Sequence, residues 1–156
     1  MPKELKEGAK APPFKLPTDG GGSVTLADFR GRKLALYFYP RANTPGCTRE
    51  AIAFSRLRAA FAKTGTDVLG VSADPIAAQD AFKAEHKLSI PLASDETHKM
   101  LAAYGAWGKK SMYGKTFMGI KRTTFLIDAG GKIARVWHNV KVDGHAEDVL
   151  AAAKAL

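Results

Sequence analysis

The chain has 156 residues, 46% apolar and 25% charged, the proportions of one globular domain, spanning 1–156, whose core is large enough to fold unaided. Lysine and arginine number 24 against 15 aspartate and glutamate, a formal net charge of +9. Residues 1–78 hold 12 basic and 7 acidic groups and residues 79–156 hold 12 and 8, an even spread that excludes a basic tail of the kind that binds nucleic acid.

The longest apolar run, Leu34 to Tyr39, falls far short of the roughly 20 residues that cross a bilayer. The opening MPKELKEGAK has no apolar segment of the signal-peptide kind. One cysteine, Cys47, excludes a disulfide framework or a thiolate zinc site within one molecule. A cytoplasmic protein with a free thiol is expected, with no membrane partner.

In chain order, Phe14–Leu16 and Val24–Leu26 flank a Thr-Asp-Gly-Gly-Gly turn, predicting a small amino-terminal hairpin. Leu34–Tyr39 is short, apolar and aromatic and stops at Pro40, as a buried strand does. Thr44 followed by Pro45 is a helix start, with a side-chain cap and a proline whose missing N–H costs nothing there. The apolar stripe Cys47, Ala51, Phe54, Leu57 and Phe61 carries that helix to a stop at Gly65 and places Cys47 in its first turn, facing inward.

Val68–Ser72 predicts a second buried strand, and Asp74-Pro75 a second capped helix reaching about Lys87. Ser89–Ala93 suits a short strand, and Asp95–Tyr104 a helix. Gly105–Lys121 has four glycines, Trp107, Tyr113 and Phe117 but no period, and is expected to be a long loop. Thr123–Ile127 and Ile133–Trp137 bracket Asp-Ala-Gly-Gly as an antiparallel hairpin, and a last helix runs from near Gly144 to Leu156. Parallel strands need crossover helices, so this order predicts an α/β fold, a mixed central sheet covered by helices on both faces, in thioredoxin-like order.

A thiol just after a buried strand, at the positive end of a helix, sits where its anion is favoured. A free thiol has a pKa of about 8.5, so only a few per cent is the nucleophilic thiolate at neutral pH. The helix end contributes about 0.3–1 kcal/mol toward the anion, whereas a guanidinium at about 4 Å supplies on the order of 4 before desolvation is subtracted. Arg41, Arg49 and Arg122 are candidates for that cation.

Pro40-x-x-x-Thr44-x-x-Cys47 resembles the active-site signature of the peroxiredoxins, and the fuller Tyr-Pro-x-x-x-Thr-Pro-Gly-Cys-Thr-x-Glu-Ala that of their bacterioferritin-comigratory, or Q-type, branch. The resemblance extends to Gly119-Ile-Lys-Arg122-Thr-Thr-Phe-Leu-Ile-Asp128, to Gly131-Lys132-Ile133 and to Val140-Lys-Val-Asp-Gly-His145, and so covers nearly the whole chain. It implies a thioredoxin-like fold and a thiol peroxidase that reduces hydrogen peroxide and organic hydroperoxides without a cofactor. It further implies that Cys47 is the attacking sulfur, Thr44 a hydroxyl bonded to thiolate and peroxide, Pro40 a shield, and Arg122 the guanidinium that activates sulfur and substrate. Glu50 matches a family position that orients its neighbours, and equally suits a favourable charge in a first helical turn.

One departure stands out. Many members of this branch carry a resolving cysteine five residues beyond the first, where this chain has Ile52. A sulfenic acid on Cys47 therefore requires an external thiol, from thioredoxin, glutaredoxin, glutathione or a second chain, and a monomer or weak homodimer is expected.

Against this stand a non-catalytic thioredoxin-fold binding or chaperone-like module, a thiol-disulfide oxidoreductase, disfavoured without a C-x-x-C pair, and a Cys-His hydrolase. His86, His98, His138 and His145 read more simply as surface residues, and no metal-binding spacing occurs among them. The acid-free stretch Thr97–Ile127, with six cations and interleaved aromatic residues, suits a rim of the peroxide site or a solvated loop as well as a nucleic-acid contact, which is not expected.

Overall fold

The alternation along one strand organises the molecule. In β3 (Lys33–Phe38) and the residue after it, Leu34, Leu36 and Phe38 join one core cluster while Ala35, Tyr37 and Tyr39 join another. Side chains two apart share a face, so both faces of this strand are buried and both must be covered. The computed structural model describes residues 5–156; the first four residues of the opening segment read for a leader lie outside them.

The covering elements follow from the crossovers. After β1 (Lys15–Pro17) and β2 (Ser23–Thr25), which pair antiparallel as the expected hairpin, β3 leads into α1 (Pro45–Arg56) and α2 (Arg58–Lys63), then β4 (Thr66–Ser72), α3 (Ile76–His86), β5 (Leu92–Ser94) and α4 (Lys99–Ala103). The chain continues through β6 (Trp107–Met112), β7 (Lys115–Ile120), β8 (Thr123–Ile127) and β9 (Ile133–Trp137) to α5 (His145–Ala155). The main sheet has the order β5-β4-β3-β8-β9, with β3, β4 and β5 parallel and β8 and β9 antiparallel to their neighbours. It is the mixed sheet flanked by helices that the sequence predicts.

Several local expectations are corrected. Gly105–Lys121 is no loop: β6 and β7 pair antiparallel as a separate two-stranded ribbon around a two-residue turn, Tyr113-Gly114, in which both residues have positive φ (54° and 75°). That is the backbone a two-residue hairpin demands, and glycine supplies half of it freely. The helix after Thr44 breaks at Leu57 into α1 and α2. Asp74 does not cap α3, whose preceding residue is Pro75; its carboxylate is engaged elsewhere, as described below. The helix expected from Asp95 starts only at Lys99, because Asp95 accepts the Leu101 N–H and His98 takes a left-handed backbone conformation.

Candidate active site

Sheet register brings the two halves of the site together. Phe38, at the end of β3, pairs with Thr123, at the start of β8. Arg122 therefore emerges beside the loop that leads from β3 into α1, 75 residues from Cys47 in sequence yet in contact with it. Arg122 Nη2 donates to Cys47 Sγ at 3.4 Å and Nη1 to Glu50 Oε1 at 2.7 Å. The Arg122 carbonyl accepts the Val140 N–H, which fixes the backbone behind the side chain.

Cys47 is 1% exposed and belongs to the core cluster that includes Tyr37, Phe54 and Val149. Its helix begins at Pro45, and Thr44 precedes it with extended backbone, as the sequence predicts. The Thr44 hydroxyl, however, donates to the Arg41 carbonyl at 2.8 Å and does not cap the helix. With its one hydrogen so placed, the oxygen presents only lone pairs to anything approaching the sulfur. Pro40, half-buried, closes the strand just before this loop. Of the other candidate cations, Arg49 is exposed and paired with Asp143 at 2.6 Å, and Arg41 is exposed.

The guanidinium serves two partners, the Glu50 carboxyl and the Cys47 sulfur. Burial pushes the Glu50 carboxyl up to about 7, outweighing the attraction of Arg122. Burial also works against charge on Arg122, but Glu50 and Cys47 outweigh it and its pKa is raised, so it stays cationic. Near neutral pH Glu50 thus readily carries a proton, and when it does the full positive charge of Arg122 faces the sulfur. Glu50 Oε2 and the Tyr37 hydroxyl are buried with no hydrogen-bond partner among the described residues.

Two features of the site escape the motif. A Cβ at position 46 would lie 3.2 Å from Arg122 Nη2, so a side chain there would make the guanidinium give by a few tenths of an ångström where it reaches across the helix start. The loop before α1 is tied from below by a buried polar chain. Tyr39 donates to Gln79 (2.5 Å), Gln79 to Ser72 (2.8 Å), and Ser72 to Asp74 (2.7 Å), whose carboxylate also accepts the Ala42 N–H (2.7 Å). These four side chains come from the residue after β3, the end of β4, the loop beyond it and α3, and their spacing carries no local signal.

The histidines also need correction. His145 is not a surface residue: it is 5% exposed, bonded to the Thr124 hydroxyl at 2.8 Å and packed edge-on against Phe54 and Trp137. Burial lowers its pKa to about 4, so it is neutral. His98 is half-buried, its ring stacked on Trp107 at 3.9 Å. His86 is half-buried and bonded to Asn43 at 2.8 Å; His138 is exposed as expected.

A family model described as AhpC/TSA matches residues 8–136. Peroxiredoxin Bcp of Escherichia coli strain K12 is 44% identical over 146 residues, 94% of each chain. Among solved structures, the Xanthomonas campestris bacterioferritin comigratory protein aligns with a TM-score of 0.87 and 42% identity over 91% of this chain and 90% of its own. A Xylella fastidiosa PrxQ variant aligns with 0.93 and 36% over 98% of both. A buried thiol under a guanidinium at the head of a helix, on this sheet and with these likenesses along nearly its whole length, places the chain in the AhpC/TSA family, among the peroxiredoxins of the bacterioferritin-comigratory branch.

Proposed function

We propose that Cys47 is the peroxidatic sulfur of a thiol peroxidase, with Arg122, Thr44 and Pro40 completing its catalytic group. The observation that carries this reading is the 3.4 Å contact between Arg122 Nη2 and the buried Cys47 Sγ. At an effective dielectric of about 20, a full positive charge at that distance is worth on the order of 5 kcal/mol to an anionic sulfur before desolvation, against about 0.3–1 for the helix end. The guanidinium is the larger of the two attractions, and burial of the sulfur opposes both.

The chemistry follows. The Cys47 thiolate attacks the outer peroxide oxygen; the S–O bond forms as the O–O bond breaks, and sulfur loses two electrons to become a sulfenic acid. The departing hydroxide or alkoxide takes a proton and leaves as water or alcohol. Arg122 and the free N–H groups of the first helical turn are donors placed where that negative charge develops. Thr44, its hydrogen committed to Arg41, accepts the hydrogen of the incoming peroxide. Pro40 screens the sulfur from bulk water.

Hydrogen peroxide and organic hydroperoxides are the substrates we propose; the Xanthomonas campestris relative is described for its alkyl peroxide reduction activity. The second half of the cycle comes from outside the chain. Ile52, 44% exposed, stands where a second thiol would be, on the far side of α1 from the inward-facing Cys47. Five helical residues rise about 7.5 Å, beyond the ~7 Å span of a disulfide. An external thiol therefore attacks the sulfenic sulfur, releasing water, and a second thiol displaces Cys47 from the mixed disulfide. We infer glutathione, glutaredoxin or thioredoxin as that source, a monomer or weak dimer as the working form, and the cytosol as the setting, since a lone free thiol suits a reducing compartment.

One equivalent of hydrogen peroxide followed by a sulfenic-acid trap tests the reading by mass spectrometry. A single adduct on Cys47, absent in Cys47→Ser, is the expected result. A thiol left intact after peroxide treatment contradicts it and leaves the non-catalytic binding module standing.

A further inference from the structure

The β6–β7 ribbon is a sheet of its own. At its base Trp107 lies against His98 and Ile120 is buried; beyond them Ser111 to Met118 are all exposed. Paired residues of an antiparallel ribbon share a face. Met112, opposite Lys115, and Phe117, opposite Lys110, therefore lie on one face, and Met118, opposite Lys109, on the other. Tyr113 at the tip is 97% exposed, and Met112, Met118 and Phe117 are 55%, 50% and 44% exposed. No acidic residue occurs from Thr97 to Ile127.

Large apolar groups that crown a narrow ribbon on both faces and at its tip are uncommon on a free surface. A rigid protein groove covers one face of such a ribbon and leaves the other wet. A nucleic-acid strand asks for flat side chains under its bases, and two of these four groups are methionines. A fluid interface closes round the tip and covers all four, and the surrounding lysines select one whose headgroups are anionic.

We propose that the tip of the β6–β7 ribbon docks on an anionic lipid surface, with Met112, Tyr113, Phe117 and Met118 entering the headgroup boundary and Lys109 and Lys115 meeting phosphates. The lack of a bilayer-spanning segment in the sequence bears on crossing a membrane and not on resting against one. Arg122 follows the last residue of β7 by two positions. Arg122 thus lies at the base of the ribbon, roughly 20 Å from the docked tip at about 3.4 Å per strand residue, so docking concentrates the protein at the lipid surface without seating the peroxide site in it; that this favours lipid-derived hydroperoxides rests on the peroxidase reading.

Flotation of the whole protein with vesicles tests this without reference to activity. Co-flotation is expected with equal parts phosphatidylglycerol and phosphatidylcholine, weakening as salt rises, and none with phosphatidylcholine alone. Met112→Ser with Tyr113→Ser, and separately Lys109→Gln with Lys115→Gln, are each expected to weaken it about tenfold, while the reaction of each variant with hydrogen peroxide in solution is unchanged. Failure to float with the anionic vesicles overturns the proposal. So does flotation that the variants retain, or retention on a single-stranded oligonucleotide in place of vesicles. A wild-type thiol inert to hydrogen peroxide sinks the peroxidase reading instead, and the vesicle result still stands or falls by itself.

Discussion

The gap above Gly46 measures how tightly the reacting groups are set. A methyl group there meets Arg122 Nη2 at 3.2 Å, close enough that the guanidinium must give by a few tenths of an ångström. Reaction rates are steep in such displacements, with about a hundredfold lost for 1 Å. Gly46→Ala is therefore expected to slow consumption of the thiol by peroxide about tenfold. Alanine favours a helix over glycine by up to ~1 kcal/mol, so the variant should unfold no more easily than the parent; an unchanged rate in stopped-flow measurements would show that the guanidinium is not so confined. Cys47, Thr44 and Arg122 are legible in the sequence because each sits in a recognisable local string. The space above Gly46 is not, since it depends on β3 and β8 aligning Phe38 with Thr123, and neither is the burial of Glu50 and His145.

At the scale of elements, the loop that carries Pro40 and Thr44 hangs on a polar chain from Tyr39 through Gln79 and Ser72 to Asp74 and the Ala42 N–H. Gln79 is fully buried and also donates to the Ala93 carbonyl, so it joins β3, β4 and β5 beneath the site. Replacing it by leucine leaves the Tyr39 hydroxyl and the Ala93 carbonyl buried without this partner, at about 1–3 kcal/mol for each unsatisfied group. Gln79→Leu is expected to lose about 2 kcal/mol or more of stability to denaturant and to react more slowly with peroxide; full stability would mean that the chain of bonds is ornamental. The main strands are readable in advance because each buries a face and so shows a run or a period. The β6–β7 ribbon escapes notice for the complementary reason: beyond its base it buries nothing, so its residues are under no pressure to alternate, and its turn begins with Tyr113 where asparagine, aspartate or glycine is usual.

For the whole molecule, two buried groups tilt stability with pH in opposite senses. The Glu50 carboxyl titrates at about 7 when folded against 4.5 for the free group. Between these values the folded state keeps a proton that the unfolded chain releases, and stability falls as pH rises, by about 3 kcal/mol across the window. His145 titrates at about 4 when folded against 6.5. Its contribution is complete above 6.5 and is lost as pH falls toward 4, because the unfolded chain then binds the proton that the folded state refuses. The slopes oppose each other from pH 4.5 to 6.5. Glu50→Gln should unmask a stability that rises with pH in that range, and His145→Gln one that falls, as read by denaturant unfolding at each pH. Equal slopes in the two variants would contradict the assignment.

Single-turnover consumption of the Cys47 thiol by one equivalent of hydrogen peroxide, compared between the parent and Arg122→Ala, bears most directly on the mechanism. Loss of one charged donor aimed at the developing anion is expected to slow the reaction by about a hundredfold to a thousandfold, while Arg49→Ala, at an exposed ion pair away from the sulfur, leaves it unchanged. Equal rates for Arg122→Ala and the parent would show that the sulfur does not depend on the guanidinium beside it.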